Sequence, residues 1–272
     1  MPELPEVETT CRGIAPHIES HRISKVTIRN PKLRWPIPKE IKKILQGEQI
    51  HQIYRRAKYL LFKCDSGSLI IHLGMSGHLQ IVDNNKGIGK HDHADFQFDN
   101  GLILRYTDPR RFGAILWTDD DINQHPLFKN LGPEPLSDKF NSDYLCKVAK
   151  GRRVTIKTFI MNGNNVVGVG NIYANEALFL AKIHPKTAAG KLDSKQYKKI
   201  VTAIKLVLDK AISAGGTTLK DFRKSDGKPG YFAQQLSVYG RENKPCSQCS
   251  TDIVQYKEAQ RATYFCPQCQ IL

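Results

Sequence analysis

A proline in second place, followed by two glutamates, gives the start of this chain the residue types for amine chemistry. The chain opens MPELPEVET, and removal of Met1, which a small second residue favours, would leave Pro2 with a secondary amine. An α-amino group has a pKa of about 7.7–8.0, so near pH 7.5 about a quarter of it is neutral and nucleophilic. Such an amine can attack a sugar C1′ to form an iminium, with Glu3 and Glu6 available for proton transfer. The same residues are also typical of a helix start, where proline and acidic side chains occupy the first turn.

Four of the seven cysteines stand near the C-terminus, in two Cys-x2-Cys pairs separated by sixteen residues. Each pair places two thiolates on one tight turn, and two such pairs complete a tetrahedral zinc shell that has no open position. We therefore predict one structural Zn²⁺ ion, bound by Cys246, Cys249, Cys266 and Cys269. Two unrelated redox pairs are the alternative. The other three cysteines have apolar neighbours and are expected to be small buried side chains: Cys11, Cys64 and Cys146.

A glycine-rich turn leads into an apolar, helix-like stretch at residues 166–176, VVGVGNIYANE. Glycines let a backbone approach a ligand closely, and a helix start presents free N–H groups to an anion. Because no βαβ pattern surrounds the turn, it does not predict a dinucleotide cofactor. Arg152, Arg153 and Lys157 lie just upstream, which favours a DNA phosphate as the anion. A simple turn between two helices is the alternative.

The charge balance of the chain points to a polyanionic partner. Its 272 residues include 41 Lys and Arg against 26 Asp and Glu, which gives a net charge of +15. The electrostatic field of such a positive charge attracts polyanions, so nucleic acid is the expected partner and an anionic membrane surface is the alternative. The longest apolar runs, such as residues 69–75, are much shorter than the ~18–20 residues that span a bilayer. With no signal peptide or basic amphipathic helix, we expect a cytoplasmic protein that binds nucleic acid.

The first half of the chain is rich in β-branched, alternating segments that are separated by turn residues. Eight short strands at this spacing predict a sandwich or a barrel. They are expected at residues 23–29, 50–54, 59–64, 68–73, 78–82, 94–98, 102–107 and 113–117. A helix with Val7, Cys11 and Ile14 on one face is predicted before them, with Pro16 interrupting it.

The second half of the chain follows a helical pattern. Residues 130–143, rich in Pro, Gly and polar side chains, predict the domain boundary. Beyond it, Ser194 is the predicted N-cap of a helix whose apolar face runs from Tyr197 to Ile212, and Gly215 and Gly216 would end that helix. The fold class predicted for the whole chain is α+β.

Taken together, these segments resemble the bacterial formamidopyrimidine-DNA glycosylases, the 8-oxoguanine DNA glycosylase/AP lyases. The likeness covers essentially the whole chain. It is carried by MPELPEVET (1–9), RRAKYL (55–60), HLGMSG (72–77), KHDH (90–93), YTDPRRFG (106–113), LGPEPLS (131–137), VVGVGNIYANE (166–176), GGTTLKDF (215–222), SDGKPGYF (225–232), VYGR (238–241) and QRAT (260–263). The resemblance implies an N-terminal β-sandwich with flanking helices, a helix-two-turn-helix region and a four-cysteine zinc ribbon. The sandwich would span residues 1–132 and the helix-two-turn-helix region residues 133–234, with a lesion-capping loop at 215–232. The zinc ribbon would span residues 235–272.

The resemblance also implies catalytic roles. By resemblance, Pro2 is the nucleophile that forms a Schiff base, and Glu3 is the proton donor that assists loss of the base. Lys58 matches the proton donor for β-elimination, and Arg261 matches the donor for δ-elimination. From the residues alone, Lys58 also fits a basic surface. Arg261 also fits a phosphate clamp, because a guanidinium stays protonated and is a poor proton donor.

Further positions match residues that contact DNA in the family. Those expected to bind the DNA are His91, Arg110, Arg152, Lys157, Asn171 and Tyr239. The residues that match those filling the void left by an everted base are Met75, Arg110 and Phe112. The apolar side chains of Met75 and Phe112 would replace the lost stacking, while Arg110 would face the orphaned cytosine. Glu6 and Glu176 are assigned to the lesion pocket.

The implied activity is that of a bifunctional repair enzyme. It would hydrolyse the N-glycosidic bond of oxidised purines, namely formamidopyrimidines and 8-oxoguanine opposite cytosine, and then cleave the strand by β,δ-elimination. Its partner would be damaged double-stranded DNA, and a monomer with no cofactor besides zinc is expected. Two other functions stay open: an endonuclease VIII-like glycosylase for oxidised pyrimidines, and a non-catalytic zinc-ribbon DNA-binding protein. At residues 91–93, a metal site is the alternative to a DNA contact.

Overall fold

The computed structural model describes residues 2–217 and 235–272. The chain divides into two compact units, one formed by Met1–Lys129 and Ala214–Tyr231, the other by Asn130–Ser213 and Phe232–Leu272. The domain ranges expected from the sequence remain predictions, and residues 218–232 of the predicted lesion-capping loop lie outside the described residues. In the described ranges, none of the helices combines the length and the apolar composition that a bilayer crossing requires.

Two four-stranded antiparallel sheets form the first unit and share one apolar core. The strands are β1 (Ile23–Ile28), β2 (Gln52–Arg56), β3 (Tyr59–Lys63), β4 (Ser68–His72), β5 (His78–Val82), β6 (Asp92–Phe98), β7 (Ile103–Thr107) and β8 (Ala114–Thr118). One sheet has the order β1-β6-β7-β5 and the other β2-β3-β4-β8. Phe62 on β3 and Phe96 on β6 are both fully buried in the common core. The predicted eight-stranded sandwich is therefore confirmed.

Helix α1 (Leu4–Ile18) packs its apolar face, which includes Val7 and Ile14, into the core of the sandwich. The prediction that Pro16 interrupts this helix is wrong, because the helix runs two residues past it. A proline removes the bond that its own N–H would make, and so close to the C-terminal end the loss of one bond does not stop the helix. The short helix α2 (Ile41–Leu45) was not predicted.

The second unit is helical and ends in a two-stranded ribbon. Its elements are α3 (Ser142–Ala149), α4 (Ile156–Met161), α5 (Asn171–Ala181), α6 (Ser194–Ser213), β9 (Val254–Glu258) and β10 (Arg261–Phe265). Helices α5 and α6 pack on each other, and α5 also contacts β10. The glycine-rich turn does lead into a helix, since Gly170 is the N-cap of α5. The predicted α+β fold class is confirmed.

Helix α6 begins differently from the prediction. The cap is Asp193 and not Ser194, because Asp193 Oδ1 accepts the Gln196 N–H at 2.7 Å while Gln196 Oε1 accepts the Asp193 N–H at 2.9 Å. This reciprocal pair satisfies two backbone donors that a helix start leaves without partners. Among the isolated cysteines, Cys11 and Cys64 are buried as expected, whereas Cys146 is partly exposed.

A buried carboxylate, Asp108, joins two loops at one end of the sandwich. Asp108 is fully buried and accepts hydrogen bonds from Ser76 Oγ at 2.7 Å, the Gly113 N–H at 2.9 Å and the Tyr106 hydroxyl at 3.1 Å. Ser76 Oγ in turn accepts the Arg110 N–H at 3.1 Å. Loop 74–77 and loop 108–113 are therefore held in one arrangement by a single side chain.

We expect Asp108→Asn to lower the free energy of unfolding by about 1–3 kcal/mol, because a neutral amide has one acceptor oxygen in place of two and replaces charge-assisted hydrogen bonds by weaker ones. Urea unfolding of both proteins measures the change. Ser76→Ala is the comparison variant, since it removes one donor to Asp108 and the acceptor of the Arg110 N–H but leaves both bonds to Oδ2 in place, and it should cost about 1–2 kcal/mol. Equal stability of the Asp108→Asn variant and the wild type would show that the carboxylate does not hold the loops.

Candidate active site

The residues with amine and acid chemistry lie at the start of α1. Pro2 and Glu3 are both buried, and Glu3 is the N-cap of the helix, with extended backbone angles. The helix-start interpretation of this segment is therefore confirmed. It does not compete with the chemical interpretation, because a rigid helix start also fixes the position of the residue before it.

Glu6 does not simply line a pocket, because both of its oxygens bind backbone groups. The carboxylate is buried, Oε2 accepts the Glu3 N–H at 2.7 Å, and Oε1 accepts the Thr217 N–H at 2.7 Å. One side chain of α1 thus binds the peptide group that follows Pro2 and the backbone at residue 217.

Lys58 lies in the two-residue turn between β2 and β3 and is partly exposed. Its neighbour Ala57 has a left-handed backbone, with φ of 54°, which a tight hairpin turn requires. Arg55 fixes this turn, because it donates to the Ala57 carbonyl at 3.0 Å and to Glu8 Oε2 at 2.8 Å. Burial raises the pKa of Glu8, but hydrogen bonds from Arg55 and Arg12 outweigh it and leave the pKa lowered. The charged pair ties the Lys58 turn to α1.

His72, the first residue of the motif HLGMSG, feels the charge of Lys58 and was not predicted as a site residue. It pairs with Tyr59 across β3 and β4, with ring centroids 4.8 Å apart, and its Nδ1 accepts the Gly74 N–H at 3.0 Å. Burial, together with the charge of Lys58, lowers its pKa to about 4. A neutral imidazole therefore stands beside the Lys58 ammonium at neutral pH.

The three predicted void-filling residues lie on the two loops that Asp108 holds together. Met75 is partly buried in loop 74–77, and Arg110 and Phe112 are exposed in loop 108–113. The Arg110 guanidinium lies 5.0 Å from the centre of the Phe112 ring, a cation–π contact. Phe112 is 43% exposed, and an aromatic ring placed in solvent on a tightly bonded loop is suited to contact a partner.

His91 is partly buried, and its carbonyl accepts the Asp108 N–H at 3.0 Å, so its position depends on loop 108–113. His93 is buried, with Nε2 2.8 Å from the Asp108 carbonyl. In the part of the chain that the structure describes, only the four cysteines bring three or more metal-ligating groups together. The metal alternative at residues 91–93 is therefore not supported.

The structure corrects the prediction that Lys157 contacts DNA. Lys157 is 2% exposed, and its ammonium donates to the Thr263 hydroxyl at 2.6 Å and to the Ala262 carbonyl at 3.0 Å. An ammonium held in this way cannot present its charge to a phosphate. Asn171 Nδ2 donates to the same Ala262 carbonyl at 2.9 Å. Helices α4 and α5 thus fix the strand that starts at Arg261.

The other predicted residues of the second unit have different environments. Arg152 and Arg261 are exposed, and Arg261 follows a turn in which residues 259 and 260 are both left-handed. Tyr239 stacks edge-on against Tyr264 at 5.1 Å. Glu176 is buried and accepts the backbone N–H groups of residues 237, 238 and 239 at 2.8–2.9 Å. Burial raises the pKa of Glu176 despite these three bonds.

The four C-terminal cysteines can hold one metal ion. Their Sγ atoms all lie within 4.8 Å of one another, with Cys246 and Cys269 at 4.0 Å and Cys249 and Cys266 at 3.4 Å. A tetrahedral zinc with bonds of about 2.3 Å requires sulfur separations close to 3.8 Å. The cysteines also form much of the small apolar cluster under the ribbon. The donor set fits a structural Zn²⁺ ion, which would supply cohesion that this cluster lacks.

We expect Cys249→Ser to lose zinc and to unfold the ribbon, because metal binding supplies about 10–16 kcal/mol to such small sites. Metal analysis and calorimetry would show less than one zinc per chain and an early unfolding transition, while the transition of the sandwich is unchanged. Cys146→Ser is the control, since Cys146 lies outside the cluster. Full zinc content in the Cys249→Ser protein would contradict the predicted ligand set.

His72 should make stability depend on pH. Its pKa of about 4 in the folded protein is below the ordinary value of about 6.5, so the unfolded chain takes up the proton first. Stability is therefore complete above pH 6.5 and falls as pH drops to 4, by about 3 kcal/mol at most. His72→Asn keeps an acceptor for the Gly74 N–H but does not titrate, and it should flatten this slope in urea unfolding at several pH values. An identical slope in both proteins would contradict the assignment.

Three family models match the chain. They are the formamidopyrimidine-DNA glycosylase N-terminal domain at residues 1–115, the formamidopyrimidine-DNA glycosylase H2TH domain at 131–223, and the zinc finger found in FPG and IleRS at 243–271. The last match falls on the four clustered cysteines, and it confirms the predicted structural zinc site.

Whole-length relatives agree with these models. Proteins named formamidopyrimidine-DNA glycosylase from Hydrogenovibrio crunogenus and Legionella pneumophila are 56% and 54% identical over 270 residues, covering 99% of this chain and 96% and 98% of theirs. The Lactococcus lactis Fpg bound to abasic-site DNA is 34% identical, with a TM-score of 0.92 and full coverage of both chains. Thermus thermophilus MutM (Fpg) has a TM-score of 0.88 at 34% identity, covering 99% of this chain and 98% of that one. The chain belongs to the formamidopyrimidine-DNA glycosylase family.

Proposed function

We propose that this chain is a bacterial base-excision repair enzyme that removes oxidised purines from DNA and then cleaves the abasic strand. The observation that carries this proposal is the match over 99% of the chain, at 53–56% identity, to proteins named formamidopyrimidine-DNA glycosylase. Solved relatives with TM-scores of 0.91–0.93 are bound to DNA that contains Fapy-dG, 8-oxoG or an abasic site. We place the enzyme in the cytoplasm, on the nucleoid when DNA is bound.

The proposed chemistry starts at Pro2. The neutral amine attacks C1′ of the damaged nucleotide, the glycosidic C–N bond breaks, and the base leaves with a proton for which Glu3 is the proposed donor. Opening of the sugar ring and loss of the amine proton give an iminium between Pro2 and C1′. This group withdraws electrons, so a C2′ proton is lost and the 3′ phosphate leaves in the β-elimination. The δ-elimination then releases the 5′ phosphate.

Two cationic residues are proposed to assist these eliminations. Lys58 is partly exposed in a turn that the Arg55–Glu8 pair fixes to α1, and its ammonium is the proposed proton donor of the β-elimination. Arg261 is exposed on the ribbon and is proposed to stabilise the departing phosphate. Catalysis needs no cofactor in this scheme, and the zinc ion holds the ribbon together.

DNA binding is proposed to use exposed and partly buried residues of both units. Phe112 and Met75 replace the stacking of the everted nucleotide, while Arg110 presents donors to the orphaned cytosine. His91, Arg152, Asn171 and Tyr239 are proposed to contact the phosphates. The net charge of +15 supplies the attraction that does not depend on sequence.

A preference for oxidised pyrimidines is the second candidate, because one solved relative, with a TM-score of 0.91, is bound to oxidised-pyrimidine DNA. We favour purines because Met75 and the Arg110–Phe112 pair match the purine branch. Excision from duplexes that carry 8-oxoguanine or thymine glycol separates the two candidates. Faster excision of thymine glycol would assign the chain to the pyrimidine branch.

The covalent step is the decisive test. Borohydride should trap the wild-type protein on abasic-site DNA, and Pro2→Gly should weaken or abolish trapping, because it replaces the secondary amine. Intact mass of the active protein should show that Met1 has been removed. Pro5→Ala is the matched control, since it alters the same helix start without changing the terminal amine. A blocked Pro2 nitrogen in protein that still cleaves damaged strands would contradict this mechanism.

A further inference from the structure

Two hydrogen bonds accepted by the Glu6 carboxylate connect parts of the chain that are remote in sequence. Glu6 and Thr217 are 211 positions apart, yet the Thr217 N–H donates to Oε1 at the same 2.7 Å at which the Glu3 N–H donates to Oε2. Glu3, Glu6 and Thr217 are each no more than 3% exposed. A backbone N–H bound to a carboxylate away from water is among the stronger hydrogen bonds in proteins.

The backbone before Thr217 is shaped to reach this carboxylate. Gly216 has a φ of 83°, and a Cβ atom there would lie 3.2 Å from Glu6 Oε1 and 3.3 Å from its Cγ. The left-handed conformation favours a glycine, and a side chain at this position would also press on Glu6. The contact between Glu6 and residues 216–217 is thus supported by sterics as well as by hydrogen bonding.

The two bonds together form what we call the Glu6 bridge, from the Thr217 N–H through the Glu6 carboxylate to the Glu3 N–H. At its Glu3 end, the bridge acts on Pro2 through the geometry of one peptide bond. The Glu3 N–H belongs to the peptide group that joins Pro2 to Glu3, and a peptide group is planar. A bond that fixes the direction of this N–H therefore fixes the plane that contains the Pro2 Cα atom. Glu6 thereby holds the peptide plane to which the proposed nucleophilic nitrogen is attached through the Pro2 Cα atom.

We propose that Glu6 is a positioning residue through which the backbone at Thr217 controls the reactivity of Pro2, independently of any contact with a damaged base. This inference rests on the proposed function, because it assumes that Pro2 forms the Schiff base. It assigns to the backbone N–H of Thr217 an effect on covalent chemistry even when the substrate carries no base at all.

The test uses a substrate without a base. Single-turnover borohydride trapping on preformed abasic-site DNA is measured for Thr217→Pro, which deletes the N–H, and for Thr217→Ala, which keeps it. We expect Thr217→Pro to trap about tenfold to a hundredfold more slowly, the equivalent of one charge-assisted hydrogen bond, with unchanged affinity for the DNA. Thr217→Ala keeps the N–H, so it should trap at least about tenfold faster than Thr217→Pro.

Glu6→Gln keeps one acceptor oxygen and should slow trapping to a similar extent. A double variant that combines Glu6→Gln with Thr217→Pro should trap no more slowly than Glu6→Gln alone, since both changes break the same bridge. Measurements of the melting temperature and of the affinity for DNA separate this effect from a folding defect, because a folding defect would lower both quantities.

Two results would overturn the inference. One is a wild-type trapping rate for Thr217→Pro together with slower excision of 8-oxoguanine, because residue 217 would then act only on the base. The other is independent, multiplying effects of the two substitutions. Trapping by the wild-type protein is the control for the proposed function, and its absence would refute that function and not the bridge.

Discussion

Buried carboxylates that accept backbone N–H groups hold the functional segments of this protein in place. Glu6 binds the backbone at residues 3 and 217, Asp108 binds Gly113, and Glu176 binds residues 237–239. Each of the three is at most 5% exposed. An ionised carboxylate is costly to bury, and burial does raise the pKa of Glu176. Several N–H donors on each group compensate for that cost, so the arrangement is stable only while every donor is in place.

The same principle explains how exposed residues can be held rigidly. Phe112 and Arg110 lie in solvent, where apolar packing does not fix a side chain. Their loop, residues 108–113, is fixed by the buried hydrogen bonds of Asp108. It is also in direct backbone contact with loop 74–77, because a Cβ atom on Gly74 would lie 2.4 Å from the Gly113 nitrogen. The sandwich thus supports an exposed surface whose geometry does not depend on that surface's own packing.

Much of this organisation can be predicted from the sequence. The alternation of apolar and polar residues predicts all eight strands of the sandwich, and the cysteine spacing predicts the metal site, because both signals are local. The partners of Glu6 and Asp108 cannot be predicted in this way, since they depend on which loops the fold brings together. Lys157 shows the limit most clearly. Its sequence neighbours are basic and suggest a phosphate contact, whereas the packing of α4 on the ribbon turns its ammonium inward.

The helix boundaries show a milder form of the same limit. Asp193 and Ser194 are both good N-caps, and only the side chain of Gln196 decides between them. Pro16 is a helix breaker in general, yet it is tolerated where few bonds remain to be lost.

The small cluster beneath the ribbon has a consequence for the cellular conditions in which the protein works. The four cysteines are half of its eight members, and Phe179, Val238 and Ile253 are its buried hydrocarbon members. Oxidation of these thiolates removes the metal ligands and the packing in one step. Oxidative stress would therefore act on the ribbon of this protein as well as on its proposed substrate, and we expect zinc retention to depend on the reducing power of the cell.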